Sequence, residues 1–140
     1  MRFGFWPNPR SDYKSTRILA QHAETTGWDG IWLADHFLPE EDALIPVHES
    51  WITLAALARD IPRVRLGTLV TGNTYRHPAV LANMVATLDN LADGRVVLGL
   101  GAGWQQNEHD AYGIEYGTVS SRLDMLEEAC QVLRGLFQND

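Results

Sequence analysis

Four short apolar segments alternate with longer segments of helical periodicity, and this order constrains the fold more than any other feature. The apolar segments cover residues 2–6, 30–34, 64–70 and 95–100. The second is apolar without alternation, as in a strand that is covered on both faces. Turn residues such as Gly27, Pro62 and Gly94 separate the segments. The pattern predicts an α/β fold of four parallel β/α units within one domain, residues 1–140.

Right-handed crossovers allow two architectures for such units, a doubly wound open sheet or a (β/α)8 barrel of the TIM type. The pattern alone does not separate the two. A complete barrel needs about 250 residues, so a chain of 140 residues would form about half of one. We therefore expect either a missing C-terminal half or a partner chain, including a second copy in a homo-oligomer.

Composition excludes several classes of function. The formal net charge of −7 gives no electrostatic support for nucleic-acid binding. No apolar run approaches the roughly 20 residues that span a bilayer, and no segment resembles a signal peptide. Cys130 is the only cysteine, which excludes an internal disulfide and favours a cytoplasmic location. No histidine pair has metal-ligand spacing, so we expect no metal site.

The carboxyl ends of parallel strands, where such folds bind ligands, are polar in this sequence. His36 follows the second strand and is the best candidate for acid–base chemistry. Asp35 should point to the opposite side because strand residues alternate faces. The alternative is that both side chains only fix the loop by hydrogen bonds. Arg76 and His77 precede a helix opened by Pro78, where they could bind an anion or form salt bridges.

Alternate glycines follow the fourth strand, at Gly99, Gly101 and Gly103. Trp104 replaces the last glycine of a dinucleotide fingerprint. The run therefore serves either the close approach of a flat ring or a tight turn. Asn107 and Glu108 could contact a ligand or cap a helix. Further expectations concern packing: core positions for Trp6, Trp32 and Trp51, and a buried stripe on the last helix formed by Leu123, Leu126, Cys130, Leu133 and Phe137.

Three segments together resemble the luciferase-like monooxygenase family, in particular its branch that uses the deazaflavin coenzyme F-420. They are GWDGIWLADHF at 27–37, RLGTLVTGNTYRHP at 65–78 and GRVVLGLGAGW at 94–104. The resemblance implies a (β/α)8 barrel whose mouth holds a deazaflavin or, alternatively, an FMN ring. It also implies a non-proline cis peptide at Leu69–Val70, in a bulge behind the ring.

The same resemblance implies roles for individual residues. His36 corresponds to the catalytic or ring-contacting histidine. The residues implied in cofactor binding are Asp35, Leu69, Val70, Thr71, Gly101, Ala102, Gly103 and Asn107. One departure matters: some deazaflavin dehydrogenases place a proton-donating glutamate where this chain has Trp104, so their sugar-oxidising chemistry does not carry over.

The expected activity is hydride transfer between the cofactor and a small organic substrate, or flavin-linked monooxygenation with oxygen. The protein would then supply mainly orientation and electrostatics. Two alternatives stay open. The chain could be a non-catalytic half-barrel that needs a partner chain, or, more remotely, a metal-dependent hydrolase that uses Asp35 and His36.

Overall fold

The computed structural model of the chain describes residues 1–40, 45 and 47–138. The strands are β1 (Gly4–Phe5), β2 (Gly30–Leu33), β3 (Arg65–Thr68), β4 (Thr71–Gly72), β5 (Val96–Val97) and β6 (Leu100–Gly101). The helices are α1 (Tyr13–Thr25), α2 (Ser50–Asp60), α3 (Pro78–Leu91), α4 (Gln106–Tyr112) and α5 (Val119–Phe137), with a 3-10 turn at Asn73–Tyr75. The four predicted β/α units are all present.

The strands form one parallel sheet in the order β1-β2-β3-β5. A second parallel pair, β4 and β6, extends the sheet beyond the ends of β3 and β5. The peptide between Leu69 and Val70 is cis and separates β3 from β4. The predicted cis bulge is therefore confirmed, at the predicted bond.

The hydrophobic core lies between one face of the sheet and helices α1 to α3. Ile31 and Leu66 are completely buried there. Trp32 lies between Ile31 and Leu33 in the sequence and therefore points to the other face of the sheet. A Cβ atom added at Gly4, Gly30 or Gly67 would come within about 3 Å of its indole ring. These glycines make room for Trp32 on the face away from the helices.

Two of the three tryptophans expected in the core lie elsewhere. Trp51 is 3 % exposed, as predicted. Trp32 is only partly buried, because it lies on the face of the sheet that the described helices do not cover. Trp6 is 55 % exposed, since the chain leaves the sheet after Phe5 and the side chain stands at the strand ends.

The helix termini follow the local sequence. Asp12 caps α1 by accepting a hydrogen bond from the Ser15 N–H, and Glu49 caps α2 in the same way. Pro78 opens α3 as predicted, where its missing N–H costs nothing. Gly27, with φ of +90°, follows the end of α1. Within the described residues, no helix is long and apolar enough to cross a membrane.

Helix α5 buries only part of the predicted stripe: Leu133 is buried and Leu126 is half-buried. Arg122, Ala129 and Leu133 are buried, whereas three members of the predicted stripe are exposed: Leu123, Cys130 and Phe137. The helix packs against α3 and the 3-10 turn. Arg122 and Ala129 are buried in place of their neighbours Leu123 and Cys130, and the Arg122 guanidinium donates to the backbone carbonyls of Gly103 and Tyr116.

Candidate active site

A cleft of about 390 Å³ lies at the carboxyl ends of the strands. Its volume falls in the range of small-molecule sites. Eight of the nine predicted site residues line it: Asp35, His36, Leu69, Val70, Thr71, Gly101, Ala102 and Gly103. Asn107 does not line it, because α4 turns its amide away to donate to the Pro39 carbonyl at 3.0 Å. Trp6, Gly72, Tyr75 and Trp104 complete the lining.

Apolar side chains stand exposed in this cleft. Leu69 is 53 % exposed, Val70 40 % and Trp104 57 %. A Cβ atom at Gly99 would meet Val70 Cγ1 at 2.8 Å, and one at Gly101 would meet Cγ2 at 2.7 Å. Gly99 and Gly101 therefore make room for the Val70 side chain, whereas Gly103 has a φ of +81°, which favours glycine in a turn. The space for Val70 was not anticipated from the sequence, whereas the φ of Gly103 agrees with the expected tight turn.

His36 stands at the edge of the cleft and is bonded to a buried carboxylate. Its Nδ1 lies 2.8 Å from Glu108 Oε1, and the Glu108 side chain is completely buried. The ring of Trp104 meets the imidazole edge to face, with 5.6 Å between the ring centroids. Among the described residues, none forms a hydrogen bond with His36 Nε2. The imidazole is thus held by one nitrogen within this part of the chain.

Glu108 accepts hydrogen bonds from three further donors. The backbone N–H groups of Phe37 and Leu38 donate to Oε2 at 2.8 and 3.3 Å, and the Tyr75 hydroxyl donates to Oε1. Burial pushes the pKa of Glu108 up, but the bonds from His36, Tyr75 and Phe37 outweigh burial and hold that pKa below its usual value. Burial and the bond to Glu108 raise the pKa of Tyr75. Glu108 is therefore a carboxylate and Tyr75 a neutral phenol at neutral pH.

Asp35 is a buried carboxylate whose hydrogen bonds connect the elements around the cleft. Its carboxylate forms two bonds with the Arg76 guanidinium, at 2.6 and 2.9 Å, and accepts from Ser50 Oγ and the Gly72 N–H. Arg76 also pairs with Glu49. Burial lowers the pKa of Arg76, but the bonds and charges of Asp35 and Glu49 outweigh burial and raise it. Asp35 and His36 bond to different partners, Arg76 and Glu108 respectively, and Arg76 forms salt bridges, one of its two predicted roles.

Two residues of the site were not anticipated from the sequence. Tyr75 was not singled out, and Glu108 was considered only as a ligand contact or helix cap. His109, also fully buried, fixes the neighbouring loop: its Nδ1 donates to the Gln105 carbonyl and its Nε2 is hydrogen-bonded to the Thr74 hydroxyl, both at 2.7 Å. The signal for Glu108 and His109 is their place in the first turns of α4, directly after the glycine run.

A metal centre has no support in the described part of the chain. No group of three or more His, Cys, Asp or Glu side chains there could hold a metal ion. The remote alternative was a metal-dependent hydrolase that uses Asp35 and His36. The Asp35 carboxylate is already paired with Arg76.

Comparison with known proteins decides the family. The family model for luciferase-like monooxygenases matches residues 1–140. The chain belongs to this family. It is 38 % identical over 124 residues to an F-420-dependent glucose-6-phosphate dehydrogenase of Amycolatopsis mediterranei, covering 86 % of this chain and 37 % of the relative. It is 36 % identical over 131 residues to an F-420-dependent hydroxymycolic acid dehydrogenase of Mycobacterium tuberculosis, covering 91 % and 36 %.

A solved structure gives the same result. An F-420-dependent secondary alcohol dehydrogenase in complex with an F-420–acetone adduct superposes with a TM-score of 0.90 at 30 % identity. The match covers 99 % of this chain and 42 % of the other. The barrel class is thereby confirmed, with four β/α units in this luciferase-like chain. The chain spans less than half the length of these relatives.

Proposed function

We propose that this luciferase-like chain forms the cofactor-ring half of an oxidoreductase active site that uses coenzyme F-420, with FMN as the alternative. The observation that carries the proposal is the cleft of about 390 Å³, where a buried carboxylate holds His36 beside exposed apolar side chains. The relatives named above use F-420, which favours the deazaflavin. When bound, either ring would supply hydride chemistry.

The residues of the cleft fit a flat, partly apolar ring. Leu69 and Val70 leave apolar side chains exposed at a strand end, where a ligand would remove them from water. Gly101, Ala102 and Gly103 offer backbone without large side chains on one side. Val70, Gly101 and Ala102 would thus contact the ring, and Thr71 would offer a polar group beside it.

His36 is the residue to which we assign proton exchange with the substrate. It is the cleft's imidazole, 26 % exposed, and an imidazole exchanges protons near neutral pH. Trp104 stands beside it at the position where the family resemblance implies a glutamate in some deazaflavin dehydrogenases, so His36 would act without a carboxylic acid at that position. The exposed apolar surface favours a small organic substrate of low polarity.

The experiment is a titration of the 140-residue chain with coenzyme F-420 and with FMN at near-millimolar concentration, followed by NMR of the tryptophan indole N–H groups. Trp6 and Trp104 line the cleft, whereas Trp51 lies in the core behind the sheet. We expect the first two signals to move and that of Trp51 to stay. Movement of Trp51 alone, or of no indole signal, would overturn the proposal.

A second candidate, the non-catalytic half-barrel that needs a partner chain, is favoured by one observation. The sheet is open, with β1 and β5 at its edges, and unpaired edges are sites of association. Gel filtration of the chain separates the candidates. A monomer whose cleft binds neither coenzyme would support the inert half-barrel, and ring binding would support the oxidoreductase.

A further inference from the structure

The buried Glu108 does more in this site than a helix cap or a ligand contact requires. Its Oε2 is occupied by two backbone N–H groups, those of Phe37 and Leu38. Its Oε1 is left for His36 and Tyr75. Glu108 comes from α4, 72 residues after His36, and its side chain is completely buried. A buried charge is retained at a cost, so its four donors call for a functional explanation.

The direction of the bond to His36 follows from the chemistry of the carboxylate. An ionised carboxylate only accepts hydrogen bonds, so His36 Nδ1 carries the proton that bridges the two groups. In a neutral imidazole the other nitrogen, Nε2, then holds the free lone pair. Tyr75 donates to the same oxygen and restricts its orientation.

Besides Glu108, four charged residues of the described part of the chain lie near His36: Asp35, Arg76, Arg10 and Glu40. The carboxylate of Asp35 is neutralised by Arg76 on the far side of the strand end. Arg10 and Glu40 line a smaller cleft of about 200 Å³ on the other side of the imidazole. Glu108 is the charged group that bonds Nδ1, at 2.8 Å, so its carboxylate decides which nitrogen carries the proton.

We propose that Glu108 is a positioning residue, which holds His36 as its Nδ1–H tautomer and leaves Nε2 as the proton-accepting nitrogen at the cleft. In this arrangement the O–H bond of a hydroxyl substrate would break heterolytically: its proton passes to Nε2, the bonding electron pair stays on the substrate oxygen, and the negative charge of Glu108 stabilises the imidazolium. The role of Nε2 as a proton acceptor in catalysis rests on the proposed function, whereas the tautomer of His36 does not depend on it.

The test is NMR of the ring nitrogens in the 15N-labelled chain, without cofactor and at alkaline pH where the imidazoles are neutral. His36→Asn identifies the His36 signals among those of the five histidines. In the parent we expect a pyrrole-type signal from Nδ1 and a pyridine-type signal from Nε2. A parent in which Nε2 carries the proton would overturn the proposal before any Glu108 variant is made.

Glu108→Gln gives the decisive comparison. Phe37 and Leu38 would keep the amide oxygen of the new side chain, so its NH2 group would face His36 and require Nδ1 to accept. We expect the tautomer to reverse, with the proton on Nε2. Tyr75→Phe removes one donor to Glu108 but retains its carboxylate, so the Nδ1–H tautomer should persist. This variant provides a second test if Glu108→Gln does not fold.

Glu24→Gln is the matched control. Glu24 also accepts from two backbone N–H groups, those of Arg63 and Val64, but at the other end of the sheet. It should leave the His36 signals unchanged. An unchanged tautomer in folded Glu108→Gln would refute the inference. Loss of cofactor binding in the indole titration would instead refute the proposed function and leave the tautomer result intact.

Discussion

Two buried carboxylates serve the site in different ways at the scale of single residues. Asp35 faces a guanidinium, so its negative charge is matched by the positive charge of Arg76. Glu108 faces neutral donors and one imidazole. Removing the first charge leaves a cation without its main partner. Removing the second changes which atoms carry protons.

Asp35→Asn should destabilise the fold by about 3 kcal/mol, because breaking a buried ion pair leaves an uncompensated charge. The Asp35 and Arg76 side chains are only 1 % and 11 % exposed. Urea denaturation measures the change in the free energy of unfolding. Asp60→Asn is the control: it weakens a 3.7 Å pair with Arg17 whose side chains are 32 % and 42 % exposed, respectively, and should cost about 1 kcal/mol or less. If Asp35→Asn and Asp60→Asn lowered the free energy of unfolding equally, the Asp35–Arg76 pair would not act as a buried ion pair.

The free energy of unfolding should fall more steeply with decreasing pH in the parent chain than in Glu108→Gln. The pKa of Glu108 is lowered from 4.5 in the folded chain, so below that pH the unfolded chain binds more protons. The stability that Glu108 contributes is therefore present above pH 4.5 and is lost as the pH falls through the folded pKa. We expect urea unfolding at a series of pH values to give a flatter acid limb for Glu108→Gln. Acid limbs of equal slope in the parent and in Glu108→Gln would show that Glu108 does not contribute to the pH dependence of stability.

At the scale of elements, β4 and β6 are formed by two segments that fit each other although they are far apart in sequence. Val70 follows β3, and Gly99 and Gly101 lie where its methyl groups need space. The parallel β/α units were predictable from the sequence pattern, and the position of the bulge was predictable from the resemblance to the luciferase-like family. The reason for the glycines was not, because it depends on which side chain faces them in space.

Gly101→Ala should therefore destabilise the chain through one contact. The new Cβ would lie 2.7 Å from Val70 Cγ2, and overpacking of this kind costs about 1–3 kcal/mol. In a double-mutant cycle, Val70→Ala should remove most of that cost. Additive losses in the cycle would show that Val70 is not the obstacle.

Gly135→Ala is the matched control for that cycle. Gly135 lies in α5 with no atom near its added Cβ, so the substitution should stabilise by about 0.5–1 kcal/mol through helix propensity.

At the scale of the whole molecule, the site is assembled from ends of elements that are far apart in sequence. Trp6 follows β1, His36 follows β2, and Glu108 belongs to α4. Parallel topology predicts that strand ends meet, which placed His36 at the cleft. The other cleft residues were named because their segments resemble those of the luciferase-like family. The bond between Glu108 and His36 could not be predicted, because α4 lies outside the strand pattern. The position of Asn107 outside the cleft lining has the same origin, since the register of α4 decides which of its side chains faces the cleft.

The open sheet predicts weak cofactor binding by the 140-residue chain alone. Leu69, Val70 and Trp104 offer contacts to a ring on one side, and binding must first offset the lost freedom of the ligand. We expect a dissociation constant no tighter than about 0.1 mM for coenzyme F-420, or roughly 5.5 kcal/mol of binding free energy. Titration of the coenzyme's fluorescence measures it, with Trp104→Ala expected to weaken binding further. A stoichiometric complex at micromolar concentration would mean that the described residues already contain the main binding determinants, and that the cleft holds more of the cofactor than its ring.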